Sequence, residues 1–160
     1  GPLGSMVSVG DVAPDFTAPI ANGDVDEITL SEALDDGPVV LAFFPGAFTS
    51  VCSHEMNSFQ DRLDELTEAG ATLYGVSIDT PFSQNAFRDE LGLEFDLVSD
   101  SGREIVDSYD ISMDFEALGV PNVAKRAVFV VDENQEVTYA WVSDDPGVEP
   151  DYDEVIDAAT

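Results

Sequence analysis

Val39-Val40-Leu41-Ala42-Phe43-Phe44-Pro45-Gly46-Ala47-Phe48-Thr49-Ser50-Val51-Cys52 sets two patterns side by side across one break. Residues 39–44 are apolar at every position. A short continuous run of this kind suits a central strand buried on both faces, because a half-buried strand would alternate. Pro45-Gly46 ends the run. A helix then begins near Thr49 or Ser50. Met56, Phe59, Leu63 and Leu66 recur at helical spacing until Gly70 closes it. Cys52 therefore falls in the first turn of a helix that follows a central strand. The unpaired N–H groups and the dipole of such a turn favour an anion, and so a thiolate.

The flanking sequence continues the alternation. Residues 15–18 and 25–28 read as extended, and Thr29 with Glu32 has capping-box spacing for a short helix through Leu34. Asp36-Gly37-Pro38 is a turn. Residues 71–78 form a strand, Thr80-Pro81 opens a helix that ends near Leu91-Gly92, and residues 95–98 form another strand. A helix over 102–109 follows. Residues 127–131 and 137–142 pair as a hairpin, and Pro150 opens a last helix through Asp157. This order predicts an α/β domain, with a central mixed sheet flanked by helices on both faces.

The chain has 160 residues, with 34 Asp and Glu against 5 Lys and Arg, a formal net charge of -29. Hydrophobic residues make up 44%, enough to fill a core despite the charge. Gly1-Pro2-Leu3-Gly4-Ser5 reads as a protease-cleavage scar left by expression, and residues 6–160 as one domain. The acidity argues against nucleic acid and against an anionic membrane as partners. No secretory leader follows Met6, and the longest apolar run is too short to span a bilayer. The expected location is cytoplasmic. The acids are spread along the whole chain, and Lys125 is the only lysine. At about 1 M salt, where the Debye length is roughly 3 Å, their repulsion is screened, so the composition suits a halophile's cytoplasm.

Cys52 is the only cysteine, so neither an internal disulfide nor a cysteine-based metal cluster can form. The spacing Pro45-x-x-x-Thr49-x-x-Cys52 at a strand-to-helix junction resembles the active-site motif of the peroxiredoxins. Val12-Ala13-Pro14-Asp15-Phe16 and Lys125-Arg126-Ala127-Val128-Phe129-Val130-Val131-Asp132 resemble two further segments of that family. With Glu55 and Arg126, the chain looks closest to the single-cysteine, alkyl hydroperoxide reductase E-type branch. The resemblance implies a thioredoxin-like fold and a thiol-dependent peroxidase with no cofactor and no metal.

It also implies roles. Cys52 is the nucleophile that becomes a sulfenic acid. Thr49 positions the peroxide, Arg126 stabilises the thiolate and the polarised O–O bond, and Pro45 shields the nascent sulfenate. Glu55 lies three residues after Cys52, on nearly the same helix face, and orients the arginine. His54 lies about 200° round the helix and points away from Cys52. Asn57 stands where many two-cysteine relatives carry a resolving cysteine. An external thiol or a redoxin must therefore reduce Cys52, and a homodimer is expected. Phe48 and Phe82 read as core, with a substrate pocket or a dimer contact as the other uses. The alternative function is a peroxide sensor that relays oxidation to a partner protein, and the third is an acidic binding domain whose cysteine only packs. The charge reading predicts higher stability in molar salt than in dilute buffer; a denaturation midpoint unchanged by salt would remove it.

Overall fold

The computed structural model describes residues 6–160, so the stretch 1–5 read as a cleavage scar lies outside the described residues. In chain order the elements are β1 (Thr17–Ala21), β2 (Val25–Thr29), α1 (Leu30–Ala33), β3 (Val39–Phe43), α2 (Ser50–Asp61), α3 (Leu63–Glu68) and β4 (Thr72–Ser77). Then come α4 (Pro81–Leu91), β5 (Asp96–Ser99), α5 (Glu104–Ser108), β6 (Ser112–Phe115), β7 (Val120–Ala124), β8 (Arg126–Val131), β9 (Val137–Ser143) and α6 (Tyr152–Ala159). A seven-stranded sheet runs in the order β2-β1-β5-β4-β3-β8-β9, and β6 pairs with β7 in a separate ribbon. β4 lies parallel to β3 and β5, while β8 is antiparallel to β3, so the sheet is mixed.

β3 is buried at every position, as its unbroken apolar run requires. Its residues divide by parity between two cores. Val39, Leu41 and Phe43 pack with Tyr109 and Phe129 on one face. Val40, Ala42 and Phe44 pack with Met56, Phe59 and Cys52 on the other. Gly75 of β4 lies under this second core. A Cβ there would stand 2.6 Å from Leu97 Cδ2, 3.2 Å from Phe44 and 3.4 Å from Met56. The bare glycine lets α2 sit close on the sheet.

Several local expectations shift for identifiable reasons. The capping box at Thr29 is not formed. The Thr29 hydroxyl pairs with Thr17 across the β1–β2 ladder at 2.7 Å, and Asp15 Oδ1 accepts from Ser31 N at 2.9 Å in its place. With Asp15 spent on that bond, the strand predicted over 15–18 starts two residues later. The single helix expected up to Gly70 breaks at Arg62, which leaves helical geometry (φ -109°, ψ 6°). Its guanidinium is held by Glu65 and, at 2.8 Å, by Asp153 in the first turn of α6. Arg103 takes a left-handed conformation, so α5 is shorter than the 102–109 stretch read from sequence. Asp100 caps it by accepting from Ile105 N and Val106 N. The β6–β7 ribbon was not anticipated, because its strands are short and Pro121 interrupts the apolar pattern.

Gly75→Val should overpack the α2 side of the sheet. A loss of about 1–3 kcal/mol is expected, measured by denaturant unfolding; a neutral result would mean that α2 has room to lift.

Candidate active site

α2 begins at Ser50, which places Cys52 in its first turn. The first backbone bond of the helix is Ser53 N to Thr49 O at 2.9 Å, so the amides before Ser53 precede the ladder and are free to face an anion. Cys52 is fully buried. Its partner comes from another element. Arg126 opens β8 and shares the face of Val128 and Val130, which by strand parity is the Cys52 face. Its guanidinium is 1% exposed and is held on all sides. Nη2 donates to Cys52 Sγ at 3.1 Å, Nη1 donates to Glu55 Oε1 at 2.8 Å, and Nε donates to the Pro146 carbonyl at 3.0 Å. A guanidinium only donates, so the sulfur it faces is the acceptor of this contact.

Burial works against the charge of Arg126, but Glu55 and Cys52 more than offset it and raise its pKa. Glu55 is also fully buried, and burial pushes its carboxyl up to about 7 against the pull of Arg126. Its Oε2 finds no hydrogen-bond partner among the described residues. Cys52 and Glu55 thus draw on one cation, and the carboxylate is the less fully satisfied of the two.

The loop from β3 to α2 is fixed by a polar chain that the sequence reading missed. Asp79 Oδ2 accepts from Ala47 N at 2.8 Å and from the Ser77 hydroxyl at 2.7 Å. Gln84, buried on α4, donates to the Ser77 hydroxyl at 3.0 Å and to the Val98 carbonyl at 2.8 Å. Nothing in an Asp-Thr-Pro string announces this use, because the partner amide is distant in sequence. Pro45 is buried at the end of β3. Thr49 is the residue before α2, but its hydroxyl does not cap the helix; it donates to the Gly46 carbonyl at 3.3 Å. Phe48 carries a left-handed backbone (φ 67°), a cost of about 1–2 kcal/mol absorbed within this loop.

Thr49 lies between two clefts. One, of about 230 Å³, is lined by Thr49, Ser50, Val51, Phe115, Arg126, Pro146 and Gly147. The other, of about 160 Å³, is lined by Pro45 to Ala47, Thr49, Ile78, Asp79, Phe115, Val120 and Val123. Phe115 of the β6–β7 ribbon borders both and was missed with its strand. A larger hollow of about 400 Å³ near Asp15, Asp100 and Ile105 includes none of the sequence-derived site residues. The structure therefore brings Cys52, Arg126 and Glu55 into contact, with Thr49 and Pro45 in the adjoining loop. His54 turns away, with Nδ1 2.6 Å from Glu149 Oε1. Phe48 and Phe82 are not core: they are 54% and 78% exposed, and only Phe48 finds an aromatic neighbour, Phe87 at 5.3 Å. Phe48 lies in the loop before α2 and Phe82 in the first turn of α4, both turned outward. Among the described residues no group of three or more metal-ligating side chains converges, and no helix is long and apolar enough to cross a membrane.

The AhpC/TSA family pattern matches residues 9–140. A chloroplastic 2-cysteine peroxiredoxin of Chattonella marina var. antiqua is 38% identical over 145 residues, which is 86% of this chain and 71% of that protein. A thiol peroxidase of Halalkalibacterium halodurans is 34% identical over 162 residues, 98% of this chain and 90% of its own. Among solved structures, peroxidoxin BcpB from Mycobacterium tuberculosis superposes with a TM-score of 0.81 at 28% identity and covers 96% of each chain. Mycobacterium tuberculosis AhpC gives 0.83 at 27% identity, over 97% of this chain and 92% of its own. The chain belongs to the AhpC/TSA family: it is a peroxiredoxin with a thioredoxin-like fold, an oxidoreductase of the thiol-dependent peroxidase type.

The Glu55 carboxyl gives the site a pH signature. Folded, it keeps its proton up to about 7; its ordinary value is 4.5. Between those values the folded state binds the extra proton, so this contribution to stability is complete below 4.5 and lost as pH rises to about 7. Glu55→Gln should flatten that part of the stability curve. Denaturation midpoints at pH 5 and pH 8 in both proteins measure it, and equal drops in the two would refute the assignment.

Proposed function

We propose that this peroxiredoxin reduces hydrogen peroxide or organic hydroperoxides by a one-cysteine cycle centred on Cys52. The observation that carries the reading is the Arg126 donor 3.1 Å from the Cys52 sulfur, with the other edge of the same guanidinium on Glu55. The Cys52 thiolate attacks one peroxide oxygen. The S–O bond forms as the O–O bond breaks, two electrons pass from sulfur to the peroxide, and the departing hydroxide or alkoxide takes a proton to leave as water or alcohol. Arg126 faces the negative charge as it moves from sulfur to oxygen, and the amides at Val51 and Cys52 add donors in a water-poor site. Thr49, between the two clefts, would orient the incoming peroxide through its hydroxyl. Glu55 holds the guanidinium in plane, and Pro45 screens the sulfenic acid.

The single cysteine supports an external reductant. A first thiol, small or carried by a redoxin, attacks the sulfenic sulfur and releases water, leaving a mixed disulfide. A second thiol frees Cys52 as thiolate. Asn57, one turn further along α2, supplies no sulfur for an internal alternative. The peroxide chemistry asks for no metal or organic cofactor. We read residues 6–160 as one domain acting as a homodimer in the cytoplasm, in a cell whose salt screens the charge of -29.

Cys52→Ser should abolish peroxide consumption, and Arg126→Ala should slow Cys52 oxidation about 100-fold. Stopped-flow Trp141 fluorescence gives the rate, and intact mass shows one added oxygen. Without added thiol the parent protein should stop after one equivalent of peroxide. Sustained turnover without thiol, or full activity in Cys52→Ser, would remove Cys52 from this role.

A further inference from the structure

Arg126 has a ligand that belongs to neither α2 nor the sheet. The Pro146 carbonyl accepts from its Nε at 3.0 Å, and Pro146 sits in the connection between β9 and α6, residues 144–151. That connection is pinned at two further points. At its start Asp144 pairs with Lys125, the residue before Arg126, at 2.7 Å. Near its end Glu149 Oε1 takes His54 Nδ1 at 2.6 Å and the Tyr152 hydroxyl at 2.5 Å. His54 lies on α2 two residues past Cys52. Between the outer pins, Gly147 N to Asp145 Oδ1 at 2.8 Å and Val148 N to Asp145 O at 3.1 Å close a tight turn.

The allocation of positive charge is informative. The chain has 34 acids, 5 Lys and Arg and one histidine. Of these scarce groups, Lys125, Arg126 and His54 all attach to this one connection. Each outer pair is exposed at one end and weak alone, yet they fasten both ends of a segment whose middle holds the guanidinium. With Pro146 fixed, the Arg126 fork cannot rotate about its long side chain, and Nη2 stays on the sulfur.

We propose that residues 144–151 form a strap that positions Arg126 for peroxide reduction, with Glu149 and His54 as positioning residues that act through the Pro146 carbonyl. This rests on the roles given above to Cys52 and Arg126. The same strap borders the 230 Å³ cleft through Pro146 and Gly147, so its fastening also fixes one wall of the approach to the site.

The test is the rate of Cys52 oxidation by hydrogen peroxide in the full chain, for Glu149→Ala, His54→Ala, Arg126→Ala, Arg126→Lys and Glu149→Ala combined with Arg126→Lys. Glu149→Ala and His54→Ala should each slow oxidation roughly ten-fold, less than the ~100-fold that an ångström of misplacement can cost. Glu149→Gln, which keeps the hydrogen bonds and loses the charge, should fall between. Lysine lacks the planar fork and its Nε donor, so Glu149→Ala should change the rate less than about two-fold in the Arg126→Lys background. Parental rates in Glu149→Ala and His54→Ala, with Arg126→Ala slow, would overturn the strap and leave the catalytic reading standing. An equal loss from Glu149→Ala in both backgrounds would also overturn it, as general loosening. A parental rate in Arg126→Ala would overturn the reading beneath it. If Glu149→Ala does not fold, His54→Ala, at an exposed side chain, decides the question by the same comparison.

Discussion

A buried guanidinium has to be satisfied on every edge, because removing it from water costs several kcal/mol that only close partners return. In this protein Arg126 meets that requirement with a sulfur, a carboxylate and a peptide carbonyl drawn from two segments far apart in sequence. Each partner must be delivered by an element that cannot drift. β8 lies between β3 and β9, and Arg126 at its start pairs with Ser143 of β9, so the base of the arginine is fixed in the ladder. α2 is held by the second core and by the close approach over Gly75. The two elements that carry Cys52 and Arg126 thus pack into one buried core.

The same constraint explains why the site tolerates an imperfection. Glu55 Oε2 is buried without a partner among the described residues, a penalty of about 1–3 kcal/mol in general. Burial holds the Glu55 carboxyl protonated up to about 7, and a carboxyl that carries its proton competes less for the charge of Arg126 than an ionised one would. Glu55 takes one edge of Arg126 while another edge of the same guanidinium faces the Cys52 sulfur.

Much of this was legible in the residues, for physical reasons that differ by element. β3 announced itself because full burial demands an unbroken apolar run, and Cys52 because Pro45-Gly46 marks where strand gives way to helix. The place of Glu55 beside Cys52 followed from helical spacing, and its role from the family resemblance. Arg126 lies 74 residues from Cys52, and only the resemblance of its segment to a known family joined the two. The capping box at Thr29 misled because a hydroxyl spends its hydrogen bond on whichever partner arrives, and Thr17 arrives from the neighbouring strand. Asp79, Phe115 and Pro146 left no signal. A side chain that binds a distant amide, an aromatic on a short irregular ribbon and a backbone carbonyl have no pattern that sequence can display.

The charge of the chain and the charge of the site pull against each other. A chain with 34 acids lowers the potential throughout the molecule and opposes any thiolate. Screening removes most of that opposition at the surface, where salt can enter, but far less in a buried site. The local cation must then do what the global field works against. It can, because Coulomb energy falls with distance and the effective dielectric is lower inside: one guanidinium at 3.1 Å outweighs many carboxylates across water. An acidic surface and a cation beside the sulfur are compatible here because the guanidinium is sealed in with Cys52. The strap proposed above follows the same reasoning, since a loosened arginine would meet the solvent and its surplus of acids before it met the sulfur again.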